Sequence, residues 1–247
     1  MGLRNLFLSY CKGDTARVRV EWYKLLRHFA NIHDLHMYRH HVTWPDDEPF
    51  NTAAQDWSHP GLPLDRRFFV FSAARSVRHL LGDTVDVGVR YGTSSHFILN
   101  ATDNTNKHHH LFDSFAGLNN PGHEDRGTGI KQPWKKGDLA VDEAVCRNNL
   151  KAYPNCHFYK GWIPSRFHEV SEKTFSFVHV DVDLFEATRD TLEFFYPRLT
   201  PGGILLCDDY GFSSTPGAKK AMDEFFADKP EEILQIPTGQ AMITKLT

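Results

Sequence analysis

Two pairs of aspartates follow two apolar segments of the sequence. Asp181 and Asp183 lie at the end of the run FSFVHVDVD, and Asp208 and Asp209 at the end of the run ILLCDD. Carboxylates that crowd together repel one another, so either one of them takes up a proton or a cation binds. Carboxylate oxygens suit a hard cation, above all Mg²⁺. Aspartates can also cap helices or face water, so their meaning depends on the elements that carry them.

The segments around these aspartates have the pattern of a strand, a helix and a second strand. Residues 175–182 and 204–207 are rich in the β-branched and apolar residues typical of buried strands. Between them Leu192 and Phe195 recur at helical spacing, and Pro197 ends the helix. Strands joined in this way run parallel, so their carboxyl ends lie at one edge of the sheet. The four aspartates are therefore expected to converge where open α/β sheets bind ligands.

A second candidate site is the segment DVGVRYGTSS, residues 86–95, which follows a predicted strand and begins a predicted helix. Gly88 and Gly92 would let the backbone approach a ligand, and the helix N-terminus near Ser94 offers amide groups to an anion. The segment lacks the GxGxxG pattern, so a carboxylate is expected there rather than a pyrophosphate. Asp113 ends the next predicted strand, where acidic residues hydrogen-bond ribose hydroxyls in Rossmann-like sites. A tight turn before a capped helix would explain the glycines without a ligand.

The rest of the sequence predicts an α/β domain at residues 63–247 that follows an appendage at residues 1–62. Further strands are predicted at residues 85–89, 110–112 and 157–159, and the tail suits an antiparallel hairpin.

The appendage is predicted to be a helix up to about Ile32 and a long aromatic loop, which could be a lid or an oligomer contact. Trp44, Phe50 and Trp57 in this loop could line a sugar pocket or an interface. The helix has an apolar face that one sheet domain need not cover, which predicts a homo-oligomer. That face contains Val18, Trp22, Leu25, Leu26 and Phe29.

Length and charge suit a soluble enzyme. The 247 residues suffice for one α/β domain with an appendage. A net charge of −3 offers no basic field to nucleic acid or anionic membranes, and no apolar run reaches the roughly 20 residues of a membrane span. The four cysteines show no CxxC spacing, and Cys207 lies in a predicted buried strand. These features favour reduced thiols and a cytoplasmic location.

Several segments together resemble the macrocin O-methyltransferase family of S-adenosylmethionine-dependent and Mg²⁺-dependent sugar O-methyltransferases. The resemblance runs in order from about Asp83 to the C-terminus, and its specific part is the block from Asp181 to Asp209. It implies a class I methyltransferase fold, a Rossmann-like seven-stranded sheet with helices on both faces. The matching segments are DVGVRYGTSS, HLFDSFAGL, KGDLAVDEAVCRNNL, FYKGWIP, FVHVDVDLFEATRDTLEFFYPRLTPGGILLCDDYG and GAKKAMDEFF.

The resemblance implies roles for the clustered aspartates. Asp181, Asp208 and Asp209 would hold Mg²⁺, and Asp183 would act as the general base. His179 points to the same side of its strand as Asp181 and is expected in the core or just behind the site. The family usually has Tyr after the DxD and then a Ser-Thr pair, whereas this chain has Phe and Ala-Thr there. The metal ligands are therefore retained while the acceptor contacts differ.

The resemblance also implies which residues bind the cofactor, S-adenosylmethionine. Asp86, Gly88 and Ser94 would contact its methionine part, and Asp113 would bind its ribose. Trp162, which follows a predicted strand, would either flank the adenine or simply pack in the fold.

Three other functions are compatible with part of the sequence. A catechol-type O-methyltransferase acts on phenols, but such enzymes carry Lys and Asn where this chain has Leu184 and Asp209. A glycosyltransferase that uses DxD to bind a metal would leave residues 86–95 and the second aspartate pair without a role. A non-catalytic carbohydrate-binding or assembly protein would not need all four aspartates.

Overall fold

The computed structural model describes residues 11, 15–32, 44–59, 61–103, 105–126 and 134–247. The chain divides into two compact units, Met1–Asp47 and Glu48–Thr247. The first unit contains helix α1 (Thr15–Ile32) and a short 3-10 turn at Trp44–Asp46.

The second unit is built on seven strands. The strands are β1 (Asp83–Val87), β2 (His109–Asp113), β3 (Cys156–Lys160), β4 (Phe175–Val180), β5 (Leu199–Cys207), β6 (Leu234–Gln235) and β7 (Ala241–Thr244). They form one sheet in the order β3-β2-β1-β4-β5-β7-β6. Strands β1 to β5 run parallel, whereas β7 is antiparallel to both β5 and β6. The predicted Rossmann-like sheet with its closing hairpin is confirmed.

Helices precede, connect and follow the parallel strands. They are α2 (Glu48–Gln55), α3 (Leu64–Ser76), α4 (Thr93–Ala101), α5 (Glu143–Asn149), α6 (Phe185–Phe195) and α7 (Pro216–Phe226). Helices α2 and α3 pack on α4, and α6 packs on α7. Strand β4 is buried along its whole length between β1 and β5. A strand covered in this way needs apolar residues on both faces, which explains why four of its six residues are Phe or Val.

The boundary between the units falls at residue 47 instead of the predicted residue 62. Helix α2 lies within the segment that was predicted to be a long loop. Phe50 in α2 is fully buried, and its ring packs against Phe68, Phe71 and Phe97. The burial of this apolar side chain holds α2 on the sheet unit. The spacing of apolar residues did not reveal this helix because α2 has only eight residues.

Three local features concern the ends and register of these elements. Helix α3 begins at Leu64 after Pro63, and Asp65 lies in its first turn. The segment Pro201–Gly203 lies inside β5, where the register with β4 is irregular. Asp142 caps α5 and accepts a hydrogen bond from the amide of Ala144.

Membrane and disulfide features agree with the sequence. Within the described part of the chain, no helix is both long enough and apolar enough to cross a membrane. All four cysteines belong to the described residues, and all are free thiols.

Candidate active site at the carboxyl edge of the sheet

A cavity of about 450 Å³ opens at the carboxyl ends of the parallel strands. Its wall contains the turn after β1, the loops after β2 and β3, Asp181 and Asp183 after β4, and Asp209 after β5. Ligands of open α/β sheets bind at this edge, because the helices that follow the strands begin there and leave a crevice. Its position makes it the candidate active site.

The aspartates after β4 and β5 converge as the sequence predicted. Val180 pairs with Cys207, so the residues that follow these two strand ends are neighbours. Asp181, Asp208 and Asp209 each offer a carboxylate oxygen, and these oxygens lie within 4.8 Å of one another. Three hard oxygen donors at this spacing fit a divalent cation such as Mg²⁺. The chemistry of the donors thus agrees with the metal site that the resemblance implies.

Asp183 stands beside this cluster in an uncommon backbone conformation. Its φ is 61°, in the left-handed region that few residues other than glycine adopt. Its amide donates a hydrogen bond of 2.9 Å to Oδ2 of Asp209. This bond ties the chain after β4 to the end of β5 and helps to hold the conformation in place.

Burial and mutual repulsion shift the acidity of the cluster. Burial, followed by the charge of Asp181, raises the pKa of Asp183 to about 7. Burial also raises the pKa of Asp209, with further contributions from Asp183 and Asp181. The pKa of Asp181 is raised chiefly by burial. Ionising each of these carboxyl groups therefore costs free energy, and a bound cation would favour the ionised forms.

Asp208 is the member of the cluster with the most side-chain partners. Its Oδ1 accepts a hydrogen bond of 2.5 Å from Nε2 of Gln240. Its Oδ2 forms an ion pair with the guanidinium of Arg66, which also donates to the Asp208 carbonyl at 3.0 Å. Neither partner is marked by a local pattern in the sequence. Arg66 lies on a helix far away in the sequence, and Gln240 sits in a hairpin turn, so only the folded chain brings them to the cluster.

Asp86 lies behind the cavity instead of in its wall. The side chain is fully buried and accepts hydrogen bonds from Ser94 Oγ at 2.7 Å and Ser95 Oγ at 2.5 Å. Its Oδ1 also lies 2.8 Å from Nδ1 of His179. Burial tends to raise the pKa of Asp86, but the charge and hydrogen bond of His179 lead the effects that hold it below its usual value. Asp86 therefore joins the start of α4 to β4.

His179 occupies the position behind the site that the sequence predicted. Its ring is fully buried. While Nδ1 faces Asp86, Nε2 lies 3.7 Å from Oδ1 of Asp208. The imidazole thus stands between Asp86 in β1 and Asp208 after β5.

The two glycines after β1 are required by close packing as well as by any ligand. Gly88 has a φ of 91°, and a Cβ there would lie 1.8 Å from the carbonyl oxygen of Asp181. Gly92 is the N-cap of α4 in the left-handed conformation, and a Cβ there would lie 2.9 Å from Leu150 Cδ1. Packing within the fold therefore requires both glycines, and Gly88 also lies in the cavity wall.

Asp113 shapes the turn after β1. Its Oδ2 accepts hydrogen bonds of 2.8 Å from the amides of both Val89 and Arg90, and its Oδ1 accepts one of 2.6 Å from Phe115. Burial raises its pKa despite these three bonds. Because it also borders the cavity, this carboxylate can act as a scaffold and still face a ligand.

The aromatic residues that line the cavity differ from those that the sequence suggested for a sugar pocket. Trp162 lines the cavity and is half-exposed, as a residue beside a ligand can be. Phe50 and Trp57 are buried in the core and are not among the residues that line the cavity. Trp134 and Phe212 line it instead, in loops where the sequence shows no periodic pattern.

The parallel sheet, the glycine turn after β1 and the carboxylates after β4 and β5 define a class I methyltransferase with a candidate metal site. The family model described as Macrocin-O-methyltransferase (TylF) matches residues 47–237. The chain belongs to this family, as the sequence motifs predicted.

Curated relatives and solved structures that resemble this chain are O-methyltransferases as well. Demethyldecarbamoylnovobiocin O-methyltransferase of Streptomyces niveus is 31% identical over 207 residues, 76% of this chain and 78% of that protein. An 8-demethyl-8-(2,3-dimethoxy-alpha-L-rhamnosyl)-tetracenomycin-C 4'-O-methyltransferase of Streptomyces olivaceus is 31% identical over 142 residues, 54% of each chain. The structure of the O-methyltransferase NovP aligns with a TM-score of 0.65 at 26% identity, covering 77% of this chain and 84% of that one.

A further structure shows how far the fold extends beyond close sequence similarity. The calicheamicin methyltransferase CalS11 aligns with a TM-score of 0.64 at 18% identity, covering 83% of this chain and 94% of that one. Together with family membership, these matches make the chain an S-adenosylmethionine-dependent O-methyltransferase.

Replacing Gly88 by alanine should disrupt the junction between the turn after β1 and the chain after β4. Gly137→Ala is the matched control, because Gly137 has a φ of 87° but open space around its Cβ position. The control should lose only about 1–2 kcal/mol for the left-handed backbone. Gly88→Ala should lose about 3 kcal/mol or more, because a clash with backbone is added. Urea unfolding measures both, and equal losses would contradict the packing argument.

Proposed function

We propose that this enzyme uses a divalent cation, most suitably Mg²⁺, to transfer the methyl group of S-adenosylmethionine to a sugar hydroxyl of a glycosylated natural product or glycan. The observation that carries the proposal is the convergence of Asp181, Asp208 and Asp209, of which Asp181 and Asp209 line the cavity. The name of the Streptomyces olivaceus relative, with its rhamnosyl group, supports a sugar acceptor. The family match supports O-methylation of the same kind.

The metal would be held by carboxylate oxygens of Asp181, Asp208 and Asp209. A divalent cation there supplies Lewis acidity, which a sugar hydroxyl needs because it is almost wholly protonated at neutral pH. Asp181 and Asp209 line the cavity, so a cation held by them would be reachable from the cavity side. Two neighbouring hydroxyls of an acceptor could approach from that side, which favours a vicinal diol.

Asp183 is proposed as the general base. Its carboxylate would take the proton of the acceptor hydroxyl while the new O–C bond forms and the S–C bond breaks, which leaves the sulfur of the S-adenosylhomocysteine product uncharged. A carboxyl group must be ionised to accept a proton, and a divalent cation bound beside Asp183 would favour that ionised form. The hydrogen bond from the Asp183 amide to Asp209 links the base to the metal-site candidates.

The cofactor is proposed to lie along the ends of β1 and β2. Gly88, Ser94 and Asp113 line the cavity there, and Trp162 borders it near the end of β3. The N-terminus of α4 suits the methionine carboxylate, because helix dipoles favour negative charge at that end. Asp86 would support the methionine site indirectly through Ser94, and Gly92 would do so by starting the helix.

Metal removal tests the central claim. We expect methyl transfer to stop in EDTA and to return when Mg²⁺ is added, because the acceptor hydroxyl would lose its Lewis acid. Titration calorimetry of the stripped protein should show Mg²⁺ binding without acceptor. Full turnover by protein that metal analysis shows to be stripped would refute the metal dependence.

A paired substitution separates the base from the metal ligands. Asp183→Asn should retain Mg²⁺ and cofactor binding but lose about 10²- to 10⁴-fold in turnover, as loss of a general base typically does. Asp209→Asn should instead weaken Mg²⁺ binding itself, since one carboxylate ligand becomes a neutral amide. If Asp183→Asn keeps its turnover within about threefold of wild type, Asp183 is not the base.

Assembly and location are proposals that rest on the sequence and on α1. We propose a cytoplasmic homo-oligomer whose contact includes α1, where Trp22, Leu26 and Phe29 are exposed by 48%, 49% and 55%. Light scattering should show an oligomer for the full chain and smaller species for the double variant Leu26→Glu with Phe29→Glu. Arg27→Glu on the same helix is the control and should keep the oligomer. A monomeric wild type at micromolar concentration would contradict the proposal.

A further inference from the structure

We propose that Arg66 is the built-in counter-ion of the aspartate cluster and competes with the divalent cation for Asp208, whereas Gln240 positions Asp208 for that cation. The two residues would then set the metal affinity in opposite directions. The inference rests on the metal dependence proposed above and concerns only this chain's own side chains.

Three interactions hold the side chain of Arg66 at the cluster. It lies in the first turn of α3, and its side chain is only 15% exposed. The guanidinium forms its ion pair with Oδ2 of Asp208 and donates to the carbonyl of the same residue. Its central carbon lies 4.8 Å from the ring centroid of Phe212, a distance at which a cation and an aromatic face attract each other. The charge is thus fixed beside the proposed ligands.

The positive charge of Arg66 acts on the whole cluster. Its ion-pair partner Asp208 offers a carboxylate oxygen that lies within 4.8 Å of oxygens of Asp181 and Asp209. The guanidinium of Arg66 therefore offsets part of the repulsion that a divalent cation would otherwise offset alone.

Competition follows from the shared oxygen. A cation that binds Oδ2 of Asp208 must share it with the guanidinium or displace the guanidinium. Two positive charges at this range repel each other strongly in a buried, weakly screened site. Removing the charge of Arg66 would therefore leave the carboxylates with more attraction for the cation.

Gln240 acts on the other oxygen and carries no charge. Its side chain is almost fully buried, and its Nε2 donates to Oδ1 of Asp208. Its Oε1 accepts a hydrogen bond of 2.8 Å from the hydroxyl of Thr238, so the amide is oriented at both ends. Gln240 directly precedes β7, whose Ala241 pairs with Cys207. The residue can therefore fix the rotamer of Asp208 without help from Arg66.

The test is titration calorimetry of Mg²⁺ into the full-length, metal-stripped protein without acceptor. Arg66→Met should tighten the Kd by about tenfold or more, because a competing charge is gone. Arg66→Lys keeps the charge and should stay within about threefold of wild type. Gln240→Leu should weaken the Kd by about tenfold or more, as loss of a residue that orients a metal ligand does.

Thermal unfolding of each variant controls for misfolding, and Arg66→Gln replaces Arg66→Met if the latter does not unfold cooperatively. Unchanged or weaker binding by the charge-removing variant would overturn the role of Arg66, and so would equal tightening in Arg66→Lys. Unchanged binding by Gln240→Leu would overturn the role of Gln240. If the wild type binds no Mg²⁺, the proposed metal dependence fails instead.

Discussion

Electrostatic repulsion among four carboxylates at two neighbouring strand ends is the constraint on which this structure depends. Asp181, Asp183, Asp208 and Asp209 are gathered where burial makes each negative charge costly. An arginine side chain from α3 and an amide side chain from the hairpin turn offset part of this repulsion. The backbone amide after β4 adds a further donor. Such a cluster persists because the surrounding sheet and helices hold it, and it is suited to take up a cation.

The proposed cofactor side and the proposed metal side of the cavity share one framework. The turn at Gly88 touches the carbonyl of Asp181 so closely that no side chain fits between them. Behind the cavity, His179 stands between Asp86, which binds the serines at the start of α4, and Asp208. A displacement of Asp86 or of Asp208 would therefore shift the other residue as well, since packed interiors transmit small displacements. Methyl transfer benefits from such rigidity, because it requires in-line alignment of sulfur, carbon and oxygen.

Much of this could be anticipated from the chain because several signals are local. A parallel βαβ unit brings strand ends together whatever the details, so Asp181 and Asp208 had to meet. Arg66 could not be anticipated, since nothing in α3 marks which of its polar residues faces the cavity. Phe50 was placed wrongly because a helix of eight residues carries too short a pattern to separate it from a loop. Asp86 was expected at the ligand, but its two serine partners and His179 enclose it.

The sequence alone determined the fold class, the family and the four aspartates of the site. Apolar patterns with a period of 2 or 3.6 residues, together with motif spacing, depend only on residues that are close in the chain. They can therefore be recognised without a structure. Only the tertiary structure decided which groups compensate those charges and which residues form the wall of the cavity. Both depend on side chains from distant segments, such as Arg66 and Gln240, that meet at Asp208 when the helices and the hairpin pack on the sheet. Long-range packing of that kind leaves no periodic trace in the chain.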